Sequence, residues 1–152
     1  MLALYALSAA SCRTLDAEHL FAYHEYRYEE LQMNKGRLFL IHWNQLETES
    51  YANALRALGW QVDTESTDGA RGGHAIKQNP PDAVVIYHTR LPAHGRATAQ
   101  FIAEAKTTRH IPIIFVSGEG QSLEKTKTAI PAAIYIAKNQ LPEILEALQI
   151  QA

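Results

Sequence analysis

From Arg37 onward, short apolar runs alternate with longer stretches in which apolar residues recur every three or four positions. Leu38-Phe39-Leu40-Ile41 is uninterrupted, as a parallel strand buried on both faces requires. Glu47 to Leu58 sets Tyr51, Ala54, Leu55 and Leu58 on one helical face, and Gly59 supplies the stop. Trp60 to Thr64 reads as a partly polar strand at or near a sheet edge. Asp68 to Gln78 is a short helix weakened by Gly72 and Gly73, and Pro80-Pro81 breaks it before a third strand, Ala83 to Tyr87. The pattern then predicts a helix over Arg96 to Lys106, a strand over Ile111 to Val116 and a polar helix over Leu123 to Thr128. A strand over Ala133 to Ala137 and a helix over Leu141 to Leu148 follow. Five such βα units with short connections predict an α/β fold. Right-handed crossovers make it a doubly wound five-stranded parallel sheet of flavodoxin-like type, with helices on both faces. Sites in such folds lie in the crevice at the carboxyl ends of the strands.

Residues 1–34 read differently from 35–150. Leu15 to Met33 is rich in Tyr, His and Glu, and Leu20, Phe21, His24, Tyr28 and Leu31 fall at roughly helical spacing. Two readings stay open: a helix that packs on the main domain or a partner, or an extension upstream of a natural start at Met33. Met1 to Cys12 is uncharged and ends in a Leu-Ser-Ala-Ala-Ser-Cys run faintly like a lipoprotein cleavage site. It is short and has no basic residue ahead of it. No run approaches the roughly 20 apolar residues of a membrane span, so no membrane role is expected. A formal net charge of −2 over 152 residues gives no basic field for nucleic acid. The single cysteine, Cys12, excludes an internal disulfide framework and fits a reducing, cytoplasmic setting.

Several local motifs fall in a telling order. Leu55-Arg56-Ala57-Leu58-Gly59 precedes a Val-containing strand, Pro81-Asp82 opens the third, and Leu91-Pro92 is followed by Gly95. Ile111-Pro112-Ile113-Ile114 leads to Val116-Ser117, and Tyr135 lies three residues before Lys138. In these features residues 35–150 resemble a response-regulator receiver domain (CheY-like). The resemblance implies that His42, His88, Ser117 and Lys138 converge in the crevice. It makes Tyr135 the switch and interface aromatic, on a face spanning roughly Leu123 to Leu148 that mediates dimerisation or partner docking.

The departures fall on the acids. A working receiver holds Mg²⁺ with carboxylates after its first strand and an acceptor aspartate after its third. Here those places carry His42 and Trp43 (or Trp43 and Asn44) and His88. Mg²⁺ demands oxygen ligands in near-octahedral geometry, which imidazole, indole and one amide do not supply. Without it, little neutralises a transferring phosphoryl group. Asn139 follows Lys138 where the family has proline. A cis bond there would cost roughly 2.5–4 kcal/mol, so a trans bond and a rearranged loop are expected. The resulting expectation is a degenerate pseudo-receiver, neither enzyme nor cofactor-dependent. It would act in two-component-type signalling through contact with a kinase, another signalling protein or a second copy.

Each residue also carries alternatives. His88 is an imidazole satisfied by its neighbours, a Zn²⁺ or Ni²⁺ ligand with His42 and His94, or a phosphohistidine site. Ser117 and Lys138 either bind an anion or are structural, with Lys138 exposed or paired with Glu119. Trp43 plugs the crevice or presents a contact. Asp82 lies at the wrong end of its strand to replace the acceptor, and Arg71-Gly72-Gly73 lacks the context of a phosphate loop. The functional rivals are an atypical receiver that still takes a phosphoryl group and a His-based metal or small-ligand sensor.

Overall fold

The computed structural model describes residues 17–151. The Met1–Cys12 run and Leu15 lie outside the described residues, as do the side chains of Tyr28 and Leu31. The chain divides after Gln32 into two units. In the first, Ala17–Met33 forms helix α1, along which Leu20, Phe21, Tyr23 and Tyr26 are exposed.

In the second unit, β1 (Arg37–Ile41), β2 (Gln61–Glu65), β3 (Ala83–Tyr87), β4 (Ile113–Val116) and β5 (Ile134–Ile136) form one parallel sheet in the order β2-β1-β3-β4-β5. This is the doubly wound, flavodoxin-like order expected, with β2 at an edge. The helices are α2 (Gln45–Ala57), α3 (Gly69–Gln78), α4 (Pro92–Glu104), α5 (Gly120–Ala129) and α6 (Leu141–Gln151).

Alternation along each strand builds two cores. Leu38, Leu40, Val85, Tyr87 and Val116 meet Leu55 of α2 and Leu145 of α6 on one face. Phe39, Ile41, Val84, Ile86 and Phe115 meet Ile76 of α3 and Ile102 of α4 on the other. Because β3 is buried along its whole length, its five apolar residues carry the central register of both cores.

Local chemistry sets the helix ends. Asn44 accepts from the Glu47 amide to start α2, and Gly59, at φ +102, takes the left-handed conformation that stops it. Asp68 caps α3 by accepting from the amides of Ala70 and Arg71. The glycines that weaken α3 on propensity grounds are explained by packing. A Cβ on Gly69 would lie 2.4 Å from Thr98 Oγ1, and one on Gly73 would lie 2.8 Å from the Phe101 ring.

Boundaries shift where proline and glycine were read as loop. α4 begins at Pro92 rather than Arg96, with proline in the first turn where its missing N–H costs nothing. Gly95 lies inside that turn, buried against Ile86. β4 starts after Pro112, whose carbonyl accepts from Val84. α5 is longer than expected and β5 shorter. The peptide bonds of the described residues are all trans, and Lys138–Gln140 forms a 3-10 turn that leads into α6.

Candidate functional site

The pleat sends the two histidines to opposite faces of the sheet. His42 continues the Leu38–Leu40 side of β1, and His88 continues the Val84–Ile86 side of β3. The alternative reading of His42 and His88 as a ligand pair therefore finds no shared face. Among the described residues no cluster of three or more His, Cys, Asp or Glu is placed to hold a metal.

His42 is fully buried. Its Nε2 lies 2.5 Å from Glu47 Oε2, and the other Glu47 oxygen accepts from Arg90 Nη2 at 3.2 Å. A carboxylate only accepts, so His42 Nε2 carries the hydrogen. The His42 bond, and after it Arg90, holds the Glu47 carboxyl below the usual range. The His42 ring lies 5.5 Å from Tyr51 and 5.1 Å from Tyr87, which stack on each other at 4.5 Å and 7°. Burial pushes the Tyr87 hydroxyl up to about 12. His42 Nδ1 is buried without a partner. Lys138 joins this same group: its Nζ donates to Tyr51 Oη at 3.0 Å and sits 4.2 Å from the ring centroid. It pairs there rather than with Glu119.

His88 is also buried, but its partner is a hydroxyl. Nε2 lies 2.8 Å from Thr126 Oγ1, which donates to the Ser122 carbonyl at 2.9 Å and accepts from Arg96 Nε at 3.1 Å. The single hydroxyl hydrogen is spent on Ser122, so His88 Nε2–H is the donor. Burial, and then the Arg96 charge, pulls the imidazole below its ordinary value and keeps it neutral at pH 7. The ring meets Phe115 edge-on at 5.6 Å, and Phe115 stacks on Tyr135 at 5.4 Å. Tyr135 is half-buried, with its hydroxyl turned to the carbonyls of Ile130 (2.8 Å) and Thr126 (3.1 Å) at the end of α5.

Ser117 lies on the His88 side, next to Gly118, where an added Cβ would meet His88 Nδ1 at 3.2 Å. It adopts a left-handed backbone (φ +61), and its amide donates to Ile136 O. With Lys127, Tyr135 and Gln140 it lines a groove of about 400 Å³. Trp43 is half-buried against Gly69 and Gly95 and edge-on to His94 at 5.5 Å. Its indole N–H is buried without an acceptor. The four residues expected to converge all follow strand ends at one end of the sheet, but His42 and Lys138 meet at Tyr51 while His88 and Ser117 lie on the Phe115–Tyr135 side.

The pattern reading missed two carboxylates at this end of the sheet. Glu47 follows Asn44 at capping-box spacing, but its side chain reaches past the cap to His42. Glu65, buried at the end of β2, accepts from the amides of Ser66, Thr67 and Asp68, from the Thr67 hydroxyl and from Arg71. Arg71, the largest influence, helps bring its pKa down to about 2. Glu65 Oε1 is saturated by protein donors, and each Glu47 oxygen already holds one, His42 or Arg90.

No protein-family model and no curated protein matches this sequence. Solved structures do match. A putative response regulator from Chloroflexus aurantiacus J-10-fl is 19% identical, with 76% of this chain and 98% of that one covered and a TM-score of 0.64. The signal receiver domain of a signal transduction histidine kinase from Syntrophus aciditrophicus is 15% identical, covering 77% and 92%, with a TM-score of 0.65. The receiver domain of sensor histidine kinase PA1611 from Pseudomonas aeruginosa PAO1 was solved with magnesium coordinated in its active-site cleft. It is 23% identical, covering 75% and 97%, with a TM-score of 0.61. The chain has the receiver fold. Within that fold His88 ends the third strand, Ser117 follows the fourth and Lys138 follows the fifth, but the side chains at this end bind one another.

Proposed function

We propose that this chain is a pseudo-receiver: a two-component-type signalling domain that is not phosphorylated on aspartate and acts through protein–protein contact. One observation carries the reading. The carboxylates Glu47 and Glu65 are held by His42, Arg90 and Arg71, and the acceptor strand ends in a neutral imidazole held by Thr126. Phosphoryl transfer depends on a metal and positioned cations to neutralise charge, and here the cations are spent on internal partners. Lys138, on Tyr51, is spent in the same way. The partner is a kinase or another signalling protein, and the residues of the degenerate pocket (His42, Trp43, His88, Ser117 and Lys138) serve structure.

Incubation with acetyl phosphate and Mg²⁺, followed by intact-mass measurement, tests this reading. The expected result is an unchanged mass. A gain of one phosphoryl group that disappears in His88→Ala would make the chain an atypical receiver instead. Among the described residues no helix is long and apolar enough to cross a membrane.

A further inference from the structure

Of helices α2 to α6, α5 alone buries no apolar side chain; the one side chain it buries is Thr126. Its cap residue, Glu119, makes no side-chain hydrogen bond to the first turn. The Thr126 hydroxyl lies 2.8 Å from His88 Nε2 and 3.1 Å from Arg96 Nε. The end of β3 and helix α4 thus both grip α5 through a single oxygen. Arg96 Nη2 adds a second bond, to the Ser122 carbonyl at 3.3 Å. From β5, the Tyr135 hydroxyl reaches the Thr126 carbonyl at 3.1 Å. A segment with little apolar burial opens locally at lower cost than the core. What holds α5 is a polar knot.

The knot works only around a neutral imidazole. Thr126 gives its own hydrogen to Ser122, so His88 and Arg96 both donate into one oxygen. Around the ring, α4 supplies the Arg96 guanidinium, α5 the Thr126 hydroxyl and β4 the edge of Phe115, while Gly118 lies on the Nδ1 side. Beyond Phe115 stands Tyr135, with the Lys127 ammonium 5.7 Å from its ring centre. Arg96 is the charge that acts on His88, and the group bonded to the ring is a hydroxyl, not a carboxylate that would offset a second charge. Nε2 already carries its hydrogen, so a proton from solvent would enter at Nδ1. Two cations would then share one hydroxyl in a buried place, where like charges repel strongly. Opening α5 returns the ring to water, so protonation and opening favour each other. We propose that His88 is a proton-operated latch: when it takes a second proton, Arg96 lets go of Thr126 and Ser122, and α5 lifts from the end of β3 and from Tyr135. The latch rests on the protein-contact reading above and adds its regulation, because a charge change at the end of β3 remodels the α5–β5 surface. Protonation here stands in the place of phosphorylation.

The test is relaxation-dispersion NMR on the full chain from pH 7.5 to pH 5.0, with the His88 ring followed in the same samples. A minor state confined to residues 120–130, Arg96 and Tyr135 is expected, its population rising at least fivefold as His88 titrates. His88→Gln keeps a donor toward Thr126 but cannot take a proton, and it should abolish the rise while its spectrum at pH 7.5 reports a retained fold. Arg96→Gln keeps a donor without the charge, and it should raise the His88 midpoint and shrink the rise. A minor state that ignores pH, or no such state at all, overturns the proposal. So does a rise that survives His88→Gln, or one spread evenly over the five strands. Acetyl-phosphate labelling with the pH response intact would remove the pseudo-receiver reading and leave the latch standing. An α5 silent to pH in a chain of unchanged mass would remove the latch alone.

Discussion

His42 and His88 end adjacent strands of one sheet, yet the two faces treat them differently. On the α2–α6 face His42 gives its hydrogen to a carboxylate, sits against two stacked tyrosines and keeps one ring nitrogen unpaired. On the opposite face His88 meets a threonine hydroxyl with a guanidinium behind it. The first surroundings hold a carboxylate paired with Arg90, and the second a guanidinium set against a hydroxyl. The receiver resemblance implies carboxylates at both places, sharing one metal ion. Here one negative group, Glu47, is neutralised internally, and the other place has become cationic. The lesson is that two identical side chains at matching strand ends cannot be assigned one role, because the pleat gives them different neighbours.

The largest effect should come from placing a carboxylate in each position. His42→Asp puts a fully buried carboxylate against the Glu47 carboxylate in place of the donor Glu47 had there, and a loss of about 3 kcal/mol is expected from urea unfolding. His88→Asp places the same group toward Arg96, so its cost should be about 1 kcal/mol. Equal losses would erase the contrast between the faces.

Thr126→Val keeps the shape but removes the hydroxyl shared by His88, Arg96 and Ser122, which predicts a loss of about 2 kcal/mol. Faster amide exchange along α5 should accompany it, because Tyr135 also ties to that helix. Unchanged exchange would show that Phe115 stacking alone holds α5 in place.

On one face, His88 and Glu65 should separate by pH. The His88 pKa is lowered in the fold, so the unfolded chain binds more protons below about pH 6.5, and stability should fall as pH drops from there. His88→Gln should flatten that slope in urea midpoints measured from pH 7 to pH 5. Glu65 runs over a lower window. Its pKa falls from 4.5 to about 2, so its contribution is present above pH 4.5 and is lost as pH falls toward 2. A slope between pH 7 and 5 that survives His88→Gln would place the titration elsewhere.

The smallest effect belongs to Lys138. Lys138→Ala removes an exposed ammonium from Tyr51, and a loss of about 0.5–1 kcal/mol is expected, read as a melting shift of a few degrees. A larger loss would mean that the ammonium orders the whole Tyr51–Tyr87–His42 stack.

Much of the fold was legible before any coordinates. Apolar runs such as Ala83–Tyr87 are local signals, and Asn44, Gly59 and Asp68 mark helix ends by chemistry confined to one turn. The start of α4 was not legible in this way, because Pro92 and Gly95 are loop residues by propensity and helical only because Gly95 packs under Ile86. The carboxylates were less legible still. By pattern Glu47 is only the start of a helix, and Glu65 falls just past the strand over Trp60 to Thr64. What defines them is Arg90, 43 positions from Glu47, and Arg71 one helix away from Glu65.

The sequence by itself determined the order of strands and helices and the absence of acids at the receiver's expected positions. Those properties follow from local periodicity and residue identity. Only the tertiary structure decided what each imidazole binds, where Lys138 goes and that Tyr135 turns toward α5. Hydrogen bonds and desolvation depend on which distant groups share a few ångströms, and no spacing along the chain encodes that.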